Sequence, residues 1–437
     1  MGLTSPQCIA SGTCGLRRLR EIGHRRPHEM LLRDFLQRSL YGKASGYYSK
    51  SVVHRLAQPL KFHRYIGESD YRAALAAEYA RSERAWLTPV EIFQPAYAEA
   101  IARHALVAHR RRFGASEPLN FLEIGGGTGT AATCILEFLQ REAPDSFASC
   151  HYKILERTPQ LAAAQRQRLS ESFDEARWAV EETCAAEWAE AQPPQPGAWH
   201  VLALEVLDNL AYDKLRIIPT DGGAAELLEA RVEQAGDRWV ERYEPLSDAQ
   251  LRHTASVLGL DSVDGVDALE RALSVPPVRG PIGGALAGVR SLLSSVAGRS
   301  RSSAREVWIP TFCHRLLTAV AAAVPEHSML LADFSWFPPQ QRGAAVNAPL
   351  VQSQHGGETV DHGGDYLRHA GDADVMFATD FAGLARLYQD AAGRPATSMS
   401  SADFFRENAD VDATATRNGY NPLLEDFRNT RVLVSES

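Results

Sequence analysis

Hydrophobic positions along the chain fall into two patterns. Continuous apolar runs occur in LNFLEI, HYKILE, HVLALEVL and HSMLLADF, and between them apolar residues recur every three or four positions. Runs of that length suit strands buried on both faces, and the longer period suits amphipathic helices. The middle of the chain therefore reads as an open α/β sheet. Its strands are LNFLEI, HYKILE, ARWAVE and HVLALEVL, with TAATCILEFLQRE and TPQLAAAQRQRL as helices among them. EVWIPTFCHRLLTAVAAAVP follows as a helix, then HSMLLADFSWF as a strand, and PLVQSQ and ADVMFATDF are expected to close the sheet. KLRIIP and ARVEQ…RWVERYEPL alternate about a Gly-Gly turn and predict a hairpin.

The flanks read differently. RDFLQRSLY, from Arg33, begins as an amphipathic helix and passes into a Gly/Tyr-rich turn. DYRAALAAEYARSERA is helix-like. In WLTPVEIFQP, Thr88 is placed as an N-cap, Pro89 at the first helical position and Glu91 at the capping-box position, with a break at Pro95. A helix AYAEAIARHALVAHRRRF follows. Residues 247–275 look helical, and the Gly/Ser/Pro-rich stretch after them reads as a loop insertion or linker. The expected division is 1–32 as a transit peptide or disordered tail, 33–118 as a helical segment, 119–393 as the sheet domain with an insertion at about 247–305, and 394–437 as a polar, partly mobile tail.

Composition narrows this little. A chain of 437 residues with 45% hydrophobic content can fill one large domain or two. A net charge of −8 argues against a nucleic-acid surface and leaves a basic protein or peptide possible as substrate. The six cysteines show no zinc spacing and read as buried or incidental thiols in a reducing compartment. No apolar run has transmembrane length. Residues 1–20 carry Arg17, Arg18 and Arg20 with no acid before Glu21, which suits a mitochondrial transit peptide or a disordered tail equally.

The chemistry gathers at 119–130, LNFLEIGGGTGT. A strand, a glycine turn and a helix form a nucleotide-binding unit in which a ligand approaches bare main-chain N–H groups. GTGTAA, from Gly127 to Ala132, formally meets the dinucleotide pattern, which wants an acid about 20 residues on. The next acid at a strand end is Glu156, 29 residues beyond Gly127. Glu123 also precedes the glycines in an E-x-G-x-G-x-G frame. With Glu156 ending the second strand, that frame looks like the S-adenosylmethionine site of a Rossmann-like methyltransferase. A nicotinamide-dependent oxidoreductase is the runner-up. On the methyltransferase reading, Gly125, Gly127 and Gly129 lie against the methionine portion, Glu123 binds its ammonium and Glu156 accepts the ribose hydroxyls. The bland alternatives are a capping role for Glu123 and a solvent-facing acid at Glu156.

Glu205 and Asp208 stand at the carboxyl end of the fourth strand, where open α/β sheets bind ligands. They are the candidate catalytic pair, with a loop-capping pair as the structural alternative. Asp333 and Asp380 end later strands as second-line or structural acids. His200, His314 and His355 have no partner at metal-ligand spacing, so no metal is expected.

Several ordered blocks resemble the MidA-like family, the mitochondrial protein arginine methyltransferases of respiratory complex I assembly. They are RDFLQRSLYGKASGYYSKS, LTPVEIFQPAYAEAIA, LEIGGGTGT, YKILERTPQLAAAQ, ALEVLDNLAYD, NAPLVQSQHGGETV and GDADVMFATDF. The resemblance implies a class I S-adenosylmethionine-dependent methyltransferase fold with an N-terminal helical extension and an inserted region. It also implies a matrix enzyme that symmetrically dimethylates an arginine of a complex I core subunit. A guanidinium stays protonated below pH ~12, and paired carboxylates clamp it through parallel hydrogen bonds. The chain departs from the family where Leu204 replaces an Asn and Ala211 a Pro. Those departures support an alternative, a methyltransferase fold kept as an assembly scaffold with little or no turnover.

Overall fold

The continuous apolar runs pair side by side into one seven-stranded sheet. In spatial order the strands are Ala396–Ser400, Thr430–Ser435, His327–Phe334, Trp199–Leu204, Asn120–Ile124, His151–Glu156 and Trp178–Glu182. This computed structural model describes residues 29–50, 52–53, 55–80, 85–220, 225–273, 303–337, 345–355 and 358–435. The last five strands of that order run parallel, and Thr430–Ser435 is antiparallel to both of its neighbours. Strand order reverses direction between Asn120–Ile124 and Trp199–Leu204, the switch point at which such sheets bind ligands.

Why the runs are continuous is visible in Trp199–Leu204, where all six residues are buried. Successive side chains alternate between faces. Val201 and Ala203 join a core with Trp188, Leu316 and Leu331, while Leu202 and Leu204 join another with Ile135, Leu330 and Phe404. Helices Ala185–Ala191, Thr311–Ala323 and Phe381–Ala392 cover the first face, and Ala96–Arg112, Thr130–Glu142 and Ser401–Asn408 the second. The fold is Rossmann-like, as expected. The Arg33 helix and the helices at 249–257 and 263–272 are also present.

Several expectations are corrected. EVWI is not helical: Arg305–Ile309 is a strand antiparallel to Asp213–Pro219, and the helix begins at Thr311 after Pro310. The expected hairpin is part of a larger antiparallel sheet, in which Glu29–Leu31, Ala225–Ala235, Asp213–Pro219 and Arg305–Ile309 lie in order and Arg238–Pro245 also pairs with Ala225–Ala235. PLVQSQ and ADVMF do not close the central sheet; they pair in a separate three-stranded sheet with Glu358–Asp361. The polar tail closes it instead. Thr430–Ser435 buries Val432 and Leu433 beside His327–Phe334. Residues 274–302, nearly all of the expected Gly/Ser/Pro-rich linker, and the N-terminal 1–28 lie outside the described residues. No described helix is long and apolar enough to cross a membrane.

Candidate functional site

The glycine turn forms because the Asn120–Ile124 strand must reverse beside its neighbour. Gly125 N–H donates to Leu155 O at 3.0 Å, with φ at +70°. A Cβ at Gly125 would lie 2.9 Å from Val206 Cγ2, so conformation and space both demand glycine. Gly127 also has positive φ, at +51°, with open space where a side chain would stand. Gly129, in the left-handed region, is the N-cap of helix Thr130–Glu142.

A cavity of about 590 Å³ opens at this turn, within the roughly 300–1,000 Å³ of ordinary ligand sites. Glu123, Gly125, Gly127, Glu156, Glu205 and Asp208 all line it, so the structure brings six of the seven predicted residues together. Gly129 is not in the lining and acts through the turn alone.

Both acids at the glycine end are buried. Glu123 is not a cap: its Oε2 accepts from Tyr152 Oη at 3.0 Å, and burial pushes its pKa up to about 7 despite that bond. Glu156 is not solvent-facing. Its Oε1 accepts from the Thr158 N–H at 2.8 Å and its Oε2 from Gln165 Nε2 at 3.0 Å. Burial raises its pKa, opposed by those bonds. Each oxygen keeps a second acceptor site, which suits a pair of ribose hydroxyls.

Two further residues hold this end, Gln165, which had no assigned role in the sequence, and Glu91, which had a different one. Gln165 Nε2 also donates to Gly127 O at 2.8 Å, tying the glycine turn to Glu156. Glu91 does not close a capping box. Thr88 caps the helix as expected, but the Glu91 carboxylate, 1% exposed, accepts from Leu56 N–H, Gln94 Nε2 and the hydroxyls of Thr128 and Thr130. It anchors the N-terminal segment to the turn. The capping-box spacing masked this role, because a buried carboxylate and a capping one occupy the same position in sequence.

The far end carries the predicted catalytic acids, Glu205 and Asp208. Glu205 has φ at +56°, an uncommon conformation for a residue with a side chain, and such strain concentrates at functional sites. Asp333, fully buried, holds the loop from beneath: Oδ2 accepts from the N–H groups of Leu207 and Asp208, and Oδ1 from that of Phe334. Asp208 is 3% exposed, and its Oδ1 has no hydrogen-bond partner among the described residues. Burial, then the charge of Asp333, pushes the pKa of both Glu205 and Asp208 well above the carboxylate range. Asp374, raised to about 7 by burial, accepts from Tyr48 Oη and Asn209 Nδ2 and lines the same cavity. Tyr48 stacks on Tyr41, at 5.3 Å between centroids, and Arg157 sits over Tyr41. Among the described residues none of Glu205, Asp208, Asp333 and Asp374 forms an ion pair.

Of the remaining candidates, Asp380 and His200 are structural. Asp380 caps helix Phe381–Ala392. His200 is buried against His109, at 3.2 Å, and burial with that neighbour lowers its pKa to about 3. His355 ends the Leu350–His355 strand. Cys134, Cys150, Cys184 and Cys313 are buried free thiols; Cys8 and Cys14 lie outside the described residues.

A parallel sheet with an antiparallel strand near one edge, a glycine turn at its switch point and an acid ending the second strand define a class I methyltransferase. The family described as "Putative S-adenosyl-L-methionine-dependent methyltransferase" matches residues 100–399, and the chain belongs to it. Its cofactor is S-adenosylmethionine, not a nicotinamide dinucleotide. Among solved structures, a methyltransferase-like protein from Burkholderia thailandensis, crystallised with S-adenosylhomocysteine, is similar with a TM-score of 0.57 at 17% identity, over 94% of this chain and 88% of that one. A native structure of a protein of the same superfamily and organism gives 0.54 at 15% identity, with the same coverage. Both likenesses concern the fold. No curated protein matches the chain.

Proposed function

We propose that this protein is an arginine methyltransferase of the MidA-like kind, acting in the mitochondrial matrix on a core subunit of respiratory complex I and dimethylating it symmetrically. The observation that carries the acceptor assignment is Asp208 Oδ1, buried in the cavity without a partner among the described residues. An isolated buried acceptor costs about 1–3 kcal/mol, and a guanidinium N–H would remove that cost. Glu205, Asp208 and Asp374 leave this end rich in carboxyls with no paired cation among the described residues. A cationic acceptor fits that deficit.

The residues at the other end suit the cofactor. Backbone groups of the Gly125–Gly127 turn and the carboxylate of Glu123 would hold the amino-acid portion, and Glu156, oriented by Gln165 and the Thr158 N–H, would hold the ribose. When bound, S-adenosylmethionine supplies an electrophilic methyl group. The chain's own work is then positioning and proton handling. Asp208 and Glu205 would fix the guanidinium. A carboxylate whose pKa is raised takes a proton from the acceptor nitrogen more readily than an ordinary one.

The scaffold reading rests on Leu204. Its side chain lines the cavity, so the amide that the resemblance leads one to expect there is missing. One experiment separates the readings: incubation of complex I core subunits, made without this enzyme, with methyl-labelled S-adenosylmethionine and either wild type or Asp208→Asn. Symmetric dimethylarginine formed by wild type alone supports the enzyme. Binding of S-adenosylhomocysteine without label in any arginine supports the scaffold.

A further inference from the structure

Outside the cavity, three helices bring together ligand atoms that no motif predicted. We propose that His253, His314 and Asp390 bind one divalent transition-metal ion of the zinc class. His253 lies on helix Ala249–Val257, His314 on Thr311–Ala323 and Asp390 on Phe381–Ala392. One nitrogen of each ring and one carboxylate oxygen lie within 4.8 Å of one another. His253 Nε2 is 2.9 Å and His314 Nε2 3.0 Å from the same oxygen, Asp390 Oδ2.

The hydrogen bonds around His314 fix which of its nitrogens is free to ligate. The Thr254 hydroxyl donates to Gln250 O at 2.9 Å, so its oxygen accepts from His314 Nδ1, 3.0 Å away. With Nδ1 committed to Thr254, His314 presents Nε2 to Asp390 Oδ2, the same oxygen that His253 Nε2 approaches, so a cation at this point would be shared by all three side chains. Nδ1–H anchored on an outer oxygen is also the arrangement that orients histidine ligands.

The spacing fits. Bonds of about 2.1 Å to a tetrahedral ion set its ligands roughly 3.4 Å apart, a few tenths beyond the two separations seen. His314 is buried and fixed, while His253 is exposed and Asp390 partly so, and these two can give. Two imidazoles and one carboxylate suit Zn²⁺ or Co²⁺ rather than Mg²⁺ or Ca²⁺. The ion would tie together three helices, and Phe312 and Leu316, either side of His314, line the large cavity. Metal-ligand spacing was invisible in the sequence because the three residues are separated by 61 and 76 positions.

The site stands apart from the methyltransferase reading and is tested without activity. Full-length protein, stripped with chelator, is titrated with Co²⁺ by visible absorption and with Zn²⁺ against a chromophoric chelator. One equivalent per chain is expected. His253→Ala and Asp390→Asn, which alter accessible side chains, each weaken it at least ~10-fold with unchanged far-ultraviolet circular dichroism, and Thr254→Val weakens it ~10–100-fold. His362→Ala, at the stacked His362–His369 pair elsewhere, leaves it intact. No saturable site in wild type, or wild-type affinity in the His253→Ala/Asp390→Asn double variant, overturns the proposal.

Discussion

Asp333 Oδ2 accepts the backbone N–H of Asp208 at 3.1 Å, and with that bond a residue of one strand sets the position of the candidate acceptor acid in the turn that follows the neighbouring strand. The same oxygen accepts from Leu207 at 2.7 Å and Oδ1 from Phe334 at 2.7 Å. Asp333→Ala leaves three N–H groups without their acceptor. The expected cost is roughly 3 kcal/mol, measured by urea denaturation, because bonds to charged groups contribute about 1.5–3 kcal/mol each and water replaces part of that. Affinity for S-adenosylhomocysteine should change less than ~3-fold, since the cofactor end stands on other strands.

Asp208→Asn and Glu205→Gln test the acceptor end. Each keeps the shape of the side chain and removes its charge. Turnover should fall ~100-fold, the loss of one charge-assisted pair, with S-adenosylhomocysteine affinity within ~3-fold of wild type. Equal losses in turnover and cofactor affinity would place these acids with the cofactor instead.

Gln165→Leu tests a positioning role. The amide bridges Gly127 O and Glu156 Oε2, so its removal frees both the turn and the Glu156 carboxylate. Cofactor affinity should drop ~10-fold, about 1.4 kcal/mol, without loss of the fold. Calorimetry on the variant reads this directly, and an unchanged Kd would assign Gln165 a packing role only.

Glu123 predicts a pH dependence. Its folded pKa, about 7, lies above the ordinary 4.5, so folding favours the protonated form. Stability from this group is complete below pH 4.5 and is lost as pH rises through 7. The displacement corresponds to roughly 3 kcal/mol. Relative to Glu123→Gln, the cofactor-free wild type should lose up to that amount across this window, in denaturation curves run pH by pH. Cofactor affinity should move oppositely, tightening through pH 7 as the ammonium gains a charged partner. A flat difference between the two proteins would remove Glu123 from the ammonium site.

Much of this site was readable before the fold. LNFLEI and HYKILE each send apolar residues to both faces of the sheet, and the glycines at 125 and 127 mark positions of positive φ, the first of them also without room for a side chain. What escaped depends on contacts far apart in the chain. TRVLVS, near the C-terminus, carries two apolar side chains that are buried only because His327–Phe334 lies alongside. EVWI looked helical because it runs into a true helix, and only its pairing with Asp213–Pro219 shows otherwise. Glu91 was read as a local cap because the hydroxyls that use it, on Thr128 and Thr130, are 37 and 39 residues away.

Calorimetric titration of the purified chain with S-adenosylhomocysteine, with Glu156→Ala and an NAD control beside it, tests the central claim most directly. The account predicts saturable binding by wild type, weakened about 100-fold in the variant through loss of two ribose bonds, and no binding of NAD. No binding at millimolar S-adenosylhomocysteine, or equal affinity in Glu156→Ala, would contradict it.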